Sequence, residues 1–240
     1  DYLGVSGVSV PEADSSTVLN QNTNVVFADG LKVLVTNDSE GTNSFQVKSY
    51  NDQVIKDKVK LIVTAAIGTP VLTSKITTNA HANTVVSGSY LKSVGDINFN
   101  GKTDSDISSV NNLSAYGAAS FVKGETNVDA NSSNNITLWN NAEVYALGDI
   151  LFYLNTPLND ERANINLDAI TQMWNKTAIA MSGGSSAYGE HKINNIIDIL
   201  AGSKLKSAQN IHMQGKNAIS RAIGLFDYVS NLGEIAATNK

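Results

Sequence analysis

The 240-residue chain has no cysteine. That excludes disulfides, thiolate-held zinc, iron–sulfur clusters and thiol nucleophiles, and it suits a protein that crosses membranes unfolded. Charge is scarce too, at 16% Asp, Glu, Lys and Arg against about a quarter in ordinary soluble domains. With 17 basic and 22 acidic residues the net charge is −5, and the basic residues form no run longer than Lys56-Asp57-Lys58 and its neighbours. Nucleic acid and anionic membrane surfaces are therefore poor partners. Only three prolines, Pro11, Pro70 and Pro157, punctuate the chain. None separates regions of different composition, so 1–240 reads as a single domain. No run of about 18 apolar residues is present to span a bilayer as a helix. The start, Asp1-Tyr2-Leu3, lacks Met and the charged and apolar segments of a signal peptide, so a processed product, or a fragment or subunit of a longer fibre, is expected.

What is abundant is apolar and amide-rich. Hydrophobic residues make up 42% of the chain, ample for a core, and 29 asparagines with many Ser and Thr supply the polar surface. Those residues favour turns and strands over helix interiors.

The chain repeats itself. Leu91-Lys92-Ser93-Val94-Gly95-Asp96-Ile97-Asn98-Phe99 aligns with Val144-Tyr145-Ala146-Leu147-Gly148-Asp149-Ile150-Leu151-Phe152, 53 residues on, and with Leu205-Lys206-Ser207-Ala208-Gln209-Asn210-Ile211-His212-Met213, a further 61 on. Apolar residues alternate on both sides of an Asp or Asn turn, which is the pattern of two short strands joined at a tight corner. The alternation assigns Ile97, Phe99, Val144, Ile150, Phe152, Leu205, Ile211 and Met213 to the core, with Asp96, Asp149 and Asn210 turning the corners. Each spacing suits two or three rungs of roughly 20–30 residues, the period of a solenoid, and about ten rungs would make a rod near 50 Å long.

Two stretches also fit a helix. Leu167, Ile170, Met173 and Trp174 in Leu158–Trp174, and Ile219, Ala222, Ile223, Phe226 and Val229 in Ala218–Gly233, recur at helical spacing. Ala163 to Ile170 equally alternates apolar with polar residues as a strand does. The expectation is therefore all-β, with one or two short helices as an alternative. Strand-like patterns reach both ends, Val5–Val10 and Leu232–Ala237, without a polar cap, so the unit is expected to stack on copies of itself or on the rest of a longer chain.

At the three aligned units and at Gly7-Val8-Ser9-Val10-Pro11-Glu12-Ala13-Asp14 the sequence resembles the large exported filamentous adhesins of bacteria, of the filamentous-haemagglutinin and leukotoxin-like type. The resemblance implies a right-handed parallel β-helix, a non-enzymatic structural and adhesive role at the bacterial cell surface, and partners among host or neighbouring-cell receptors. It carries over no catalytic residues and no cofactor.

Other chemistry is sparse. Asp96, Asn98, Asn100 and Asp104 follow the opening of a calcium loop, but position twelve is Ile107 rather than an acid, and the aligned Asp149 and Asn210 lack such followers. Gly101-Lys102-Thr103 echoes a phosphate loop without its earlier glycine, and Gly183-Gly184-Ser185-Ser186 lacks the last glycine of a nucleophile elbow. His81, His191 and His212 have no ligand partner three or four residues away and read as surface residues. A glycan-binding or glycan-degrading β-helix is the alternative function. It would need Asp96, Asp149, Asp104 and Asp106, or Trp139, Trp174 and Tyr188, to converge on one face. Five glycosylation sequons begin at Asn37, Asn112, Asn131, Asn135 and Asn175, as many as this composition yields by chance.

Overall fold

The computed structural model describes residues 2–36, 43–156, 163–216, 221–230, 233–234 and 238–239. Among them there are strands and turns and no helix. The strands are β1 (Tyr2–Ser9), β2 (Glu12–Phe27), β3 (Lys32–Val35), β4 (Phe45–Gly68), β5 (Val71–Ser87), β6 (Tyr90–Ser93), β7 (Ile97–Trp139) and β8 (Glu143–Ala146). They continue with β9 (Ile150–Leu154), β10 (Ile165–Ser182), β11 (Ser186–Ile199), β12 (Lys204–Ser207), β13 (Ile211–Gly215), β14 (Arg221–Ser230), β15 (Gly233–Glu234) and β16 (Thr238–Asn239).

Almost all pairing is parallel, between residues one circuit of the chain apart. Phe45 pairs with Ile97, Ile97 with Ile150 and Ile150 with Ile211, steps of 52, 53 and 61 residues. The two later steps are the spacings of the repeated unit. The parallel pairing step is therefore the whole spacing, not the half or third of it that two or three rungs per spacing would require. Five strands, β1, β4, β7, β10 and β14, stack along one wall, which spans only about 20 Å at the usual strand separation. Each circuit is correspondingly wide, since the 24 residues of β4 extend through roughly 80 Å of contour.

Each circuit has two long walls and one short face. The first wall holds β4, the start of β7 and β10; the second holds β2, β5, the end of β7 and β11. The short face is the four-stranded sheet β3-β6-β8-β12. The walls turn into each other at Pro70, at Val122 and at Gly183, and the turns stay bonded from circuit to circuit: Lys123 N–H donates to Pro70 O at 3.0 Å and Gly183 N–H to Val122 O at 3.0 Å. Just before that corner, in the first wall, φ at Gly117 is 149° and a Cβ would run into the Ala65 carbonyl oxygen, so only glycine fits there.

Alternation puts every second residue inside, as in β7 over residues 101–115. The interior is layered rather than uniformly apolar. Phe99, Ile150, Phe152, Leu138 and Val144 form one apolar cluster, Ile76, Ile107, Val128 and Leu167 a second, and Leu61, Leu72, Leu113, Val122 and Met173 a third. Polar layers separate them. Thr103 Oγ1 donates to Asn134 Oδ1 at 2.9 Å, and Asn134 Nδ2 to Asn195 Oδ1 at 2.9 Å. Further along, the Ser74 and Ser109 hydroxyls bond at 2.7 Å, as do those of Thr126 and Thr171. A polar group inside a protein is tolerated when it is so paired.

The two helix-like stretches are strands where they are described. In β10 Ile165, Leu167, Ala169 and Met173 face inward while Trp174 is exposed, and β14 pairs with β10 from Asn166–Arg221 to Asn175–Ser230. Thr171 and Asn175, also buried, fill the remaining inward places, so a period of two wins over the helical spacing. Residues 157–162 and 217–220, where each helical pattern begins, lie outside the described residues, as does Ile219. The C-terminal pairing breaks the parallel pattern: β15 and β16 bind β14 antiparallel.

Of the expected core, Ile97, Phe99, Val144, Ile150 and Phe152 are fully buried and Leu205 is half-buried against them. Ile211 and Met213 are not in the core. They keep the register, under Ile150 and Phe152, but among the described residues β13 is the last strand of its stack, and they are 43% and 49% exposed.

Candidate functional site

The corner after the short face is built by the repeated Gly-Asp. Asp96 Oδ1 accepts the Asp149 backbone N–H at 2.8 Å, and Asp149 Oδ1 accepts that of Asn210 at 2.8 Å and its side-chain amide at 3.1 Å. Ile97 N–H in turn donates to Asp149 O, and Ile150 N–H to Asn210 O, both at 2.9 Å. These side chains hold successive circuits together at the turn, which is the corner role expected of them.

The calcium candidates do not meet. Asn98, Asn100 and Asp104 lie along β7 in extended conformation, so Asn98 and Asp104 are about 20 Å apart, whereas a calcium loop must curl around its ion. Asp104 is otherwise engaged: Tyr50 Oη donates to it at 2.6 Å, Asn164 N–H at 2.7 Å, and Lys102 Nζ stands 3.1 Å away. Lys102 thus belongs to a carboxylate and to the Tyr50 ring, 5.5 Å from its centroid, and not to a phosphate cradle. Among the described residues no three His, Asp or Glu side chains gather as metal ligands.

The aromatic candidates are dispersed. Trp174 faces out from the first wall with Lys176 over its ring, Tyr188 faces out from the second wall and Trp139 ends β7. The acids are dispersed too, with Asp106 beside Lys56 at 3.8 Å and Asp96 and Asp149 occupied at the corner. Of the sequons, Asn175 is buried and bonded to Ser120 O, and Asn37 lies outside the described residues.

His81 and His212 are exposed. His191 is not a surface residue of the expected kind: it stands in the inward column Thr78–Ala130–His191, with Nε2 3.1 Å from Ser132 Oγ. Burial pushes its pKa down to about 4, so it is neutral at pH 7.

The densest collection of chemistry is on the short face. Its inward columns are Val33–Leu91–Val144–Leu205 and Val35–Ser93–Ala146–Ser207. Alternation sends the other two outward: Lys32–Tyr90–Glu143–Lys204 and Leu34–Lys92–Tyr145–Lys206. The Tyr90 and Tyr145 rings lie diagonally together, centroids 5.4 Å apart. Glu143 accepts from Lys204 Nζ at 2.7 Å and from Tyr145 Oη at 3.2 Å. The Lys204 ammonium holds the Glu143 carboxyl below its ordinary range and is itself raised. Beside the rings opens a cleft of about 230 Å³ lined by Lys92, Tyr145, Leu147 and Lys206. The alignment contained this site: Lys92, Tyr145 and Lys206 occupy one variable position of the repeated unit, and Tyr90, Glu143 and Lys204 the position just before it. Reading only the apolar positions missed it.

Family models, curated proteins and solved structures give no match to the chain. The fold itself defines an all-β protein of parallel strands stacked one circuit apart.

Proposed function

We propose that the chain is a right-handed parallel β-helix serving as a structural and adhesive segment of an extracellular bacterial surface fibre, with no catalytic role. The right hand follows from the general handedness of parallel crossovers. The observation that carries the reading is the open stack. Among the described residues no strand pairs with the outer edge of β2, the 16-residue strand at one end of the second wall. Unpaired edges of that kind are templates for another strand. On the outer surface of that wall Asn79 Nδ2 donates to Asn20 Oδ1 at 2.8 Å and Asn131 Nδ2 to Asn79 Oδ1 at 3.3 Å, while Asn83 and Asn135 continue a second ladder from Asn24 at 3.0 and 3.1 Å. Such ladders are a recurrent support of stacked strands, and here they run out to the open β2 edge.

The partner at this edge is a second copy or the remainder of a longer chain, and the ends of the fibre meet cell-surface receptors. Small-angle scattering over a concentration series tests the assembly. Growth along one axis at constant cross-section supports end-to-end docking; particles whose dimensions stay fixed at every concentration overturn self-stacking.

A further inference from the structure

We propose that the outward face of the short sheet β3-β6-β8-β12 is a binding site for an acidic polysaccharide, one bearing carboxylate or sulfate groups. Such binding deepens the glycan-binding alternative, rests on this face alone and is independent of the fibre.

Charge is the first observation. The protein is acidic overall, yet the eight outward positions of this sheet hold four lysines and one carboxylate. Glu143 is engaged by Lys204 at 2.7 Å, which leaves Lys32, Lys92 and Lys206 as positive charge without an acid in the sheet. All three are exposed. Lys92 and Lys206 stand in one column with Tyr145 between them, about 10 Å apart at two strand separations, roughly the length of two sugar rings. A polysaccharide laid along the stacking direction thus presents an acidic group to each.

The rings are the second observation. Tyr90 and Tyr145 are half-buried and tilted together at 39° with centroids 5.4 Å apart, so each ring packs against the other and supports its orientation. Aromatic faces with a polar tip take up the C–H faces of sugars while hydroxyls bond at the rim, and fixed side chains lose little freedom on binding. The cleft beside them receives a ring edge, with Lys92 and Lys206 on its walls. A duplex nucleic acid would need a larger basic surface than this four-residue-wide strip, which is why the sugar polymer is preferred.

The test is binding of the whole 240-residue chain to dextran sulfate, polygalacturonate, neutral dextran and a DNA duplex, by calorimetry at low and at physiological salt. The expected result is binding to one or both acidic polysaccharides, weakened by salt, at least tenfold tighter than to neutral dextran. Preference between sulfate and carboxylate polymers identifies the acidic group. K92Q with K206Q is expected to lose tenfold or more with an unchanged melting temperature, since both side chains are exposed. Y90L, which keeps every charge, is expected to weaken polysaccharide binding severalfold. The proposal is overturned if neither acidic polymer binds, if neutral dextran binds as well, if the lysine pair has no effect, or if DNA competes equally and Y90L changes nothing.

Discussion

Asp149 receives and gives the same interaction: its backbone N–H donates to Asp96 Oδ1 while its own Oδ1 accepts from the backbone of Asn210, both at 2.8 Å. One residue at one turn, by its backbone on one side and its side chain on the other, thereby couples three successive circuits. Asp149→Ala is expected to cost about 0.5–1.5 kcal/mol, the net worth of an ordinary hydrogen bond, because the Asn210 donors it frees lie at the surface and can bond water. Asp149→Asn, which retains an acceptor oxygen as Asn210 does in its place, should recover most of the loss. Denaturant melts of the two variants decide this; equal destabilisation by both would mean that charge rather than the acceptor matters.

Gly148 sits where a Cβ would meet Asp96 Oδ1 and the backbone at Gly95. Gly148→Ala should therefore destabilise by about 1–3 kcal/mol, as over-packing does, and should disturb the Asp96 bond to Asp149 in particular. Combined with Asp96→Ala, which removes the obstructing oxygen, the alanine should cost less than it does alone. Strict additivity in that double-mutant cycle would place the clash elsewhere.

Ile150 and Met213 come from aligned units, yet one is fully buried and the other half exposed. Ile150→Asp buries an unpaired carboxylate in the largest apolar cluster and is expected to abolish cooperative folding. Met213→Asp should change the melting temperature little in the isolated chain. Under conditions where copies stack, the same substitution should impede growth. A cooperative melt of Ile150→Asp at the parent temperature would refute the register.

His191 imposes a pH dependence. Its folded pKa is about 4, below the ordinary value near 6.5, so the unfolded chain takes up the proton first. Stability from this group is complete above about pH 6.5, falls as pH drops and levels off near pH 4. His191→Gln should remove this loss, so that the wild-type minus variant stability difference falls as pH drops from about 6.5 to about 4, read from chemical denaturation at stepped pH. A wild-type minus variant difference that is constant over that interval would show that the imidazole protonates freely in the folded protein.

The repeated unit made one part of the fold legible and concealed another. Its gapless offsets of 53 and 61 are the pairing steps from Ile97 to Ile150 to Ile211, so the register could be read from nine residues. Those nine residues cover only the short face and its corner. The walls between them, such as Ser105–Val128, carry an outward face of Ser, Asn and Asp with no strict repeat and an inward face that mixes Ile107 and Leu113 with Ser109 and Asn111. Without a repeat in the walls, the length of one circuit was invisible and was divided into several. Inward Thr171 and Asn175 similarly interrupted the apolar alternation of β10 and left Leu167, Ile170, Met173 and Trp174 to suggest a helix. The Tyr90 and Tyr145 pair was legible only by stacking the three units and reading their variable positions.

The buried polar layers have an effect on how the long walls find each other. A wall of plain alternation can slide by two residues and still bury the same kind of side chain everywhere, so its frame is poorly defined. Here a two-residue slide would set the Thr126 and Thr171 hydroxyls against Val128 or Leu113 and leave Thr103 facing Ile136 instead of Asn134. Each hydroxyl or amide so displaced would be stranded without a partner, at about 1–3 kcal/mol apiece. The Ser, Thr and Asn between the apolar clusters act as teeth on a key, and the circuits close in one frame because the others do not turn in the lock.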